Sequence, residues 1–95
     1  MVRYIALLRF TDQGAKNVQR STARAAEFRE AAAKAGVNVE AQYWTTGAYD
    51  GVLIFNAADE KTALRCLSAL AAAGNVRSET LRAFEALEFA AIAGR

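Results

Sequence analysis

The hydrophobic periodicity of this chain switches in the order β-α-β-β-α-β. That order predicts an α+β fold of the ferredoxin-like class: an antiparallel four-stranded sheet, two helices crossing on one side of it, and a short C-terminal helix. Two observations carry the prediction. Four short runs rich in β-branched and aromatic residues show the period of two expected of strands, and two longer stretches between them repeat apolar residues every three or four positions and stop at a glycine. A third observation concerns assembly. Neither face of the first or third predicted strand is polar, so a sheet covered by helices on one side keeps Ile5 and Leu7, or Leu53 and Phe55, on the other; a contiguous apolar face of this kind predicts that two copies pack sheet to sheet.

The first strand, Val2 to Phe10, places Val2, Tyr4, Ala6, Leu8 and Phe10 on one face and mixes Arg3 and Arg9 with Ile5 and Leu7 on the other. Thr11-Asp12-Gln13-Gly14 reads as a turn in which Gly14 is free to adopt a positive φ. Ser21 then offers an N-cap, with Asn17 as an earlier alternative, to a helix running to about Ala35, where Gly36 supplies a left-handed stop. Its apolar stripe is Ala25, Phe28, Ala32 and Ala35; Arg20, Arg24 and Arg29, interleaved with Glu27 and Glu30, read as a solvated face.

The second strand, Val37 to Thr45, alternates Val37, Val39, Ala41 and Tyr43 with Asn38, Glu40, Gln42 and Trp44, which assigns Trp44 to the polar face. Thr46 to Asp50 has the length of a glycine-containing hairpin loop, and Gly51 to Phe55 follows as a third strand that is apolar on both faces and therefore central. Asp59 caps a second helix, Glu60 to Ala73, with Ala63, Cys66 or Leu67, and Leu70 inward and Gly74 at its stop. Asn75 to Phe84 returns to alternation as a fourth strand. Glu85 to Ile92 has the spacing of a short helix, with Gly94 and Arg95 expected to fray.

Composition narrows the function classes. Ninety-five residues suit one domain with one core. A net charge of +2, from 12 basic and 10 acidic residues scattered without runs, argues against a nucleic-acid partner. No apolar stretch approaches the roughly 18 residues of a membrane-spanning helix, so no membrane partner is expected. The N-terminus enters the first strand with no signal-like segment before it, which predicts a cytoplasmic protein. A single cysteine, Cys66, precludes an intrachain disulfide and reads as a small buried hydrophobe; with no histidine, a metal site is improbable.

The chain resembles the GYD domain family, grouped with the dimeric α/β barrel superfamily. The resemblance covers nearly all of it: Tyr4 with Leu7-Leu8, Phe10-Thr11-Asp12-Gln13-Gly14, Tyr43-Trp44-Thr45 followed by Gly47, Tyr49 and Asp50, and Gly74-Asn75-Val76-Arg77 with Glu79 to Phe84. Ala48 separates the glycine from the tyrosine, and Thr22 stands where the family commonly has proline. The resemblance implies a homodimeric α/β barrel, or a higher even-numbered oligomer, without assigning an activity. Relatives in the superfamily include cofactor-free monooxygenases, lactone isomerases and haem-degrading enzymes. Haem usually takes a histidine ligand, which this chain lacks, so no cofactor is expected.

The leading functional expectation is a small apolar or aromatic molecule bound near the Trp44/Tyr49/Asp50 hairpin, in a barrel lined by Trp44, Tyr43, Phe55 and Leu7. Tyr4 and Asn56 are candidate hydrogen-bond donors. The alternatives are a cofactor-independent monooxygenase- or isomerase-like enzyme and a structural homo-oligomer or protein-partner module. In an enzyme, Tyr49 and Asp50 would be the hydroxyl and carboxylate pair, and Arg3 or Arg9 would hold an anionic substrate. Against catalysis, Asp50 has the composition of a residue that caps a hairpin backbone, and Tyr49 that of one packed on a neighbour.

Overall fold

Strand β1 (Val2–Phe10), seven of whose nine residues are aliphatic or aromatic, lies inside the sheet and pairs on both edges. A computed structural model describes residues 1–94. After β1 come α1 (Asp12–Lys16), a 3-10 turn (Val18–Arg20), α2 (Ser21–Lys34), β2 (Val37–Trp44), β3 (Gly51–Ala57), α3 (Glu60–Ala72), β4 (Val76–Ala83) and α4 (Ala86–Ile92). The sheet order is β2-β3-β1-β4 with every neighbouring pair antiparallel. The predicted order of elements and the antiparallel four-stranded sheet are therefore observed, with β3 reaching two residues beyond its expected end.

The alternation of β1 and β3 decides which side is core. Tyr4, Ala6 and Leu8 of β1 and Leu53, Phe55 and Ala57 of β3 are buried beneath α2 and α3, against Ala32, Ala63 and Cys66 with Phe28, Leu67 and Leu70 around them. Burial raises the pKa of the Cys66 thiol, in keeping with its packing role. The odd residues of β1, Arg3, Ile5, Leu7 and Arg9, sit opposite Asn56, Ile54 and Val52 of β3 and opposite Ala83, Leu81, Glu79 and Arg77 of β4. Among the described residues no helix packs on this second face, and Ile5, Leu7, Val52, Ile54 and Leu81 form its apolar centre.

Strand β2 departs from the predicted alternation. A bulge shifts the register between Val39 and Ala41: Val39 opposes Phe55, but Ala41 opposes Ile54 and Gln42 opposes Leu53. A one-residue slip exchanges the two faces of a strand. Val37 and Val39 thus face the helices as expected, whereas beyond the bulge Gln42 and Trp44 face them and Ala41 and Tyr43 move to the open face. The extra residue is Glu40. Its carboxylate accepts hydrogen bonds from Arg3 Nε at 2.7 Å and from Asn56 Nδ2, both on the open face.

Three local expectations are also corrected. Thr11 to Gly14 is not a free turn: Thr11 caps α1, its Oγ1 accepting from the Gly14 amide at 3.1 Å. Gly14 has no positive φ; its missing side chain makes room for Asn75, whose carbonyl oxygen a Cβ would overlap. Neither Ser21 nor Asn17 caps α2, because the 3-10 turn runs directly into that helix and carries its first backbone bonds. The glycine stops do hold, with Gly36 at φ 87° and Gly74 at φ 81°. Gly94, at φ 81°, closes α4 rather than fraying, and Arg95 lies outside the described residues.

These two uses of glycine separate experimentally. Gly14→Ala meets backbone and should lower the unfolding free energy in urea by about 3 kcal/mol. Gly47→Ala, at φ 101° with open space around it, should lose only about 1–2 kcal/mol.

Candidate functional site

Between the sheet and the two long helices lies a cavity of about 460 Å3. Its existence follows from the alanine content of α2 and α3. Ala25 and Ala31 of α2, Ala69 of α3 and Ala73 just past its end line its walls, side chains too short to reach the sheet. Phe28 and Leu70 narrow it from the sides, and Leu8, Leu53 and Gly51 form its floor. A Cβ at Gly51 would stand 3.1 Å from the Tyr43 carbonyl oxygen and 3.8 Å from Leu8, so this glycine keeps the floor low where Trp44 crosses it.

The mouth is built by the C-terminal end of β1 and what grips it. On one side the Asp50 amide donates to Leu8 O at 2.7 Å, and Asp50 Oδ2 accepts the Phe10 amide at 2.9 Å. On the other the Thr11 amide donates to Asn75 O at 3.1 Å, Thr11 Oγ1 donates to Gly74 O at 2.6 Å, and Gln13 Nε2 donates to Ala73 O and Asn75 Oδ1. The hairpin is closed by the Thr45 amide on Asp50 O and Thr45 Oγ1 on Tyr49 O. Polar groups reaching the lining are Gln42, Asp50, Ser21, Asn75, Glu27 and Arg24, the last donating from Nη1 to Asn17 O at 2.7 Å.

The structure therefore brings together only part of the predicted set. Tyr43, Trp44 and Asp50 line the cavity, Trp44 48% exposed at its edge. Tyr49 does not. It turns to the open sheet face, where its hydroxyl donates to Glu79 Oε1 at 3.0 Å and Arg9 stacks 4.6 Å above its ring. The bond to Glu79 raises the Tyr49 pKa, so the phenol is held in its neutral form. Tyr49 and Asp50 are consecutive in the loop before β3 but bind different partners, Glu79 and the Phe10 amide, which dissolves the expected hydroxyl and carboxylate pair. Tyr4 is core, stacked on Phe55 at 5.7 Å. Asn56 is bound to Glu40 on the open face, and Arg3 bridges Glu40 and Glu85 at 2.7 and 2.8 Å. Arg9 is committed to Ala48 O and Glu79. Phe55, 1% exposed, and Leu7, on the open face, are likewise absent from the cavity lining.

Residues that sequence reasoning missed are Gln42, Phe28, Leu70 and Gly51. A signal for them existed in the alanine content of both helices, whose short side chains cannot fill the space over a strand. Among the described residues no three His, Cys, Asp or Glu side chains cluster as metal ligands, and no helix is long and apolar enough to cross a membrane.

Comparison with known proteins agrees with the architecture. The model of the GYD domain matches residues 4–93. A Thermus thermophilus protein named glutamine synthetase and cystathionine beta-lyase binding protein is 37% identical over 84 residues, covering 87% of this chain and 88% of that protein. The crystal structure of TTHA0845, also from Thermus thermophilus, superposes with a TM-score of 0.58 at 28% identity, covering 90% of this chain and 96% of the other.

Two measurements probe the bonds that frame this site. Asp50→Asn keeps an oxygen for the Phe10 amide and should leave stability nearly unchanged, whereas Asp50→Ala strands that amide and should lose about 1–3 kcal/mol in urea unfolding. The hydrogen bond from Asn56, and then Arg3, holds the Glu40 carboxyl below its ordinary pKa. A depressed folded pKa contributes stability above the unfolded value and loses it as pH falls through the folded one. The melting temperature of the wild type should accordingly drop more between about pH 5 and pH 3 than that of Glu40→Gln. Equal drops would show that the Glu40 network contributes nothing.

Proposed function

The chain belongs to the GYD domain family, and from that premise we propose that it is a binding module: a homodimer paired through its open sheet faces, whose helix–sheet cavity takes a small planar apolar molecule against Trp44. The observation that carries the reading is the cavity itself. At about 460 Å3, mostly apolar, with a few polar groups at its mouth, it matches what small-molecule sites ordinarily offer. Binding is favoured over catalysis because the one carboxylate of the hairpin is engaged by a backbone amide and the tyrosine beside it faces away. Pairing is supported by the open face, an apolar centre of Ile5, Leu7, Val52, Ile54 and Leu81 rimmed by ion pairs, the pattern of an interface core within a polar rim.

A second reading rests on the Thermus thermophilus relative, whose name gives it two enzymes as partners. The chain would then serve as a protein-partner module. Calorimetric titration with purified glutamine synthetase from the same source distinguishes it, a saturable heat favouring the partner reading.

Native mass spectrometry should show an even-numbered oligomer, a dimer foremost, and Ile54→Asp should convert it to monomer; a monomeric wild type would refute the pairing. Trp44 is the single tryptophan, so its fluorescence reports the pocket. Titrating 8-anilino-1-naphthalenesulfonate should quench it saturably, and Ala25→Leu, filling the wall, should weaken that binding roughly tenfold or more. Unchanged affinity would place the probe elsewhere.

A further inference from the structure

Of the three arginines that the sequence assigns to a solvated face, one turns inward. Arg20 and Arg29 are exposed, and Arg29 donates from Nη2 to Val39 O at 3.2 Å. Arg24 is half-buried and reaches the cavity lining. Its Nη1 donates to Asn17 O at 2.7 Å, and among the described residues no carboxylate lies within ion-pair distance of it. A guanidinium carries five N–H donors, so most of those of Arg24 are unused by the protein. A charge partly withdrawn from water without a counter-ion carries a desolvation cost that a bound anion would offset.

Position decides what this charge can reach. Only Ala35 and Gly36 separate α2 from β2, so the two run antiparallel and the start of the helix lies toward the Trp44 end of the strand. Helical side chains lean toward the N-terminus, which brings the Arg24 guanidinium back past Ser21 to Asn17. Asn17 ends α1, and Gln13 of the same helix holds Asn75 at the mouth. The guanidinium thus stands at the open end of the cavity, with Phe28, Leu70 and Leu53 forming the apolar depth behind it. Two further donors line the cavity without an acceptor among the described residues, Ser21 Oγ and Asn75 Nδ2. The acidic groups of the lining lie elsewhere: Asp50 belongs to the hairpin side of the mouth, engaged by the Phe10 amide, and Glu27 is exposed nearly one turn further along α2.

We infer that the ligand of this cavity is an apolar acid: a planar hydrocarbon body lies against Trp44 and between Phe28 and Leu70, and a single carboxylate is held at the mouth by Arg24, with Ser21 and Asn75 as further donors. The inference rests on the small-molecule reading proposed above and gives that molecule its chemical class. Arginine–carboxylate bonds are charge-assisted and frequently bidentate, and Arg24 has nitrogens to spare for both oxygens. The arrangement also fixes orientation, since a head group turned to the hairpin side meets the carboxylate of Asp50.

Two ligands with the same body separate charge from shape. Calorimetric titration of the full chain at neutral pH should show 2-naphthoate binding roughly tenfold or more tightly than 2-naphthamide, its uncharged counterpart. Arg24→Gln should abolish that preference by weakening 2-naphthoate alone, and Arg24→Lys, which keeps the charge, should retain part of it. An unchanged affinity of Arg24→Gln for 2-naphthamide shows that the cavity is still formed. Equal affinities in the wild type, a carboxylate preference that survives Arg24→Gln, or equal weakening of both ligands by that substitution each overturn the inference while leaving the cavity standing. Binding of neither ligand by the wild type removes the small-molecule reading together with the acid.

Discussion

The structure turns on the anchoring of the C-terminal end of β1. From Leu8 to Thr11 the backbone groups of this strand are taken up from both sides, by Asp50 of the hairpin and by the Gly74–Asn75 junction between α3 and β4. Backbone polar groups at a strand end must be paired or hydrated, and pairing them to two separate loops converts that requirement into tertiary geometry. Gly14 belongs to the same node, since only a residue without Cβ lets α1 settle on the Asn75 carbonyl. The blocks from Phe10 to Gly14, from Gly47 to Asp50 and from Gly74 to Arg77, distant along the chain, are therefore parts of one fastening. That fastening is the rim of the cavity.

The Glu40 bulge is the second determinant. One additional residue in an edge strand reassigns Trp44 from the face its alternation indicates to the face under the helices. The residue inserted carries a charge and turns it onto Arg3 and Asn56, so the same event that sends Trp44 to the cavity builds an ion-pair network on the opposite face. Arg3 extends this network to Glu85 and thereby to the base of α4. Pocket, open face and C-terminal helix are thus coupled through a few polar contacts at one end of β1 and β2.

Alanine-rich helices explain why there is a pocket at all. α2, α3 and the C-cap of α3 bring Ala25, Ala31, Ala69 and Ala73 over a sheet floored by Leu8, Gly51 and Leu53, and the short side chains leave the gap unfilled. Packing elsewhere is close, with Phe55 and Val37 fully buried. The helix–sheet layer is thus tight at the Tyr4–Phe55 end and hollow at the Trp44–Asp50 end, a division that suits one end to stability and the other to binding.

The element order, the antiparallel sheet, the glycine stops and the apolar character of both faces of β1 and β3 were legible from residue type and period, because each depends on interactions within a few positions along the chain. Even the backbone role of Asp50 was open to inference from the composition of the turn. The faces of β2 were not, since a bulge is invisible to a count of alternation and is decided by where Glu40 finds Arg3 and Asn56. The separation of Tyr49 from Asp50 and the retreat of Tyr4 into the core also depended on the assembled sheet, where Glu79 and Arg9 hold Tyr49 on the open face, the Phe10 amide takes the Asp50 carboxylate, and Tyr4 stacks on Phe55. The reason Gly14 is glycine lies far along the chain, in a carbonyl at Asn75 that only the folded protein places beside it.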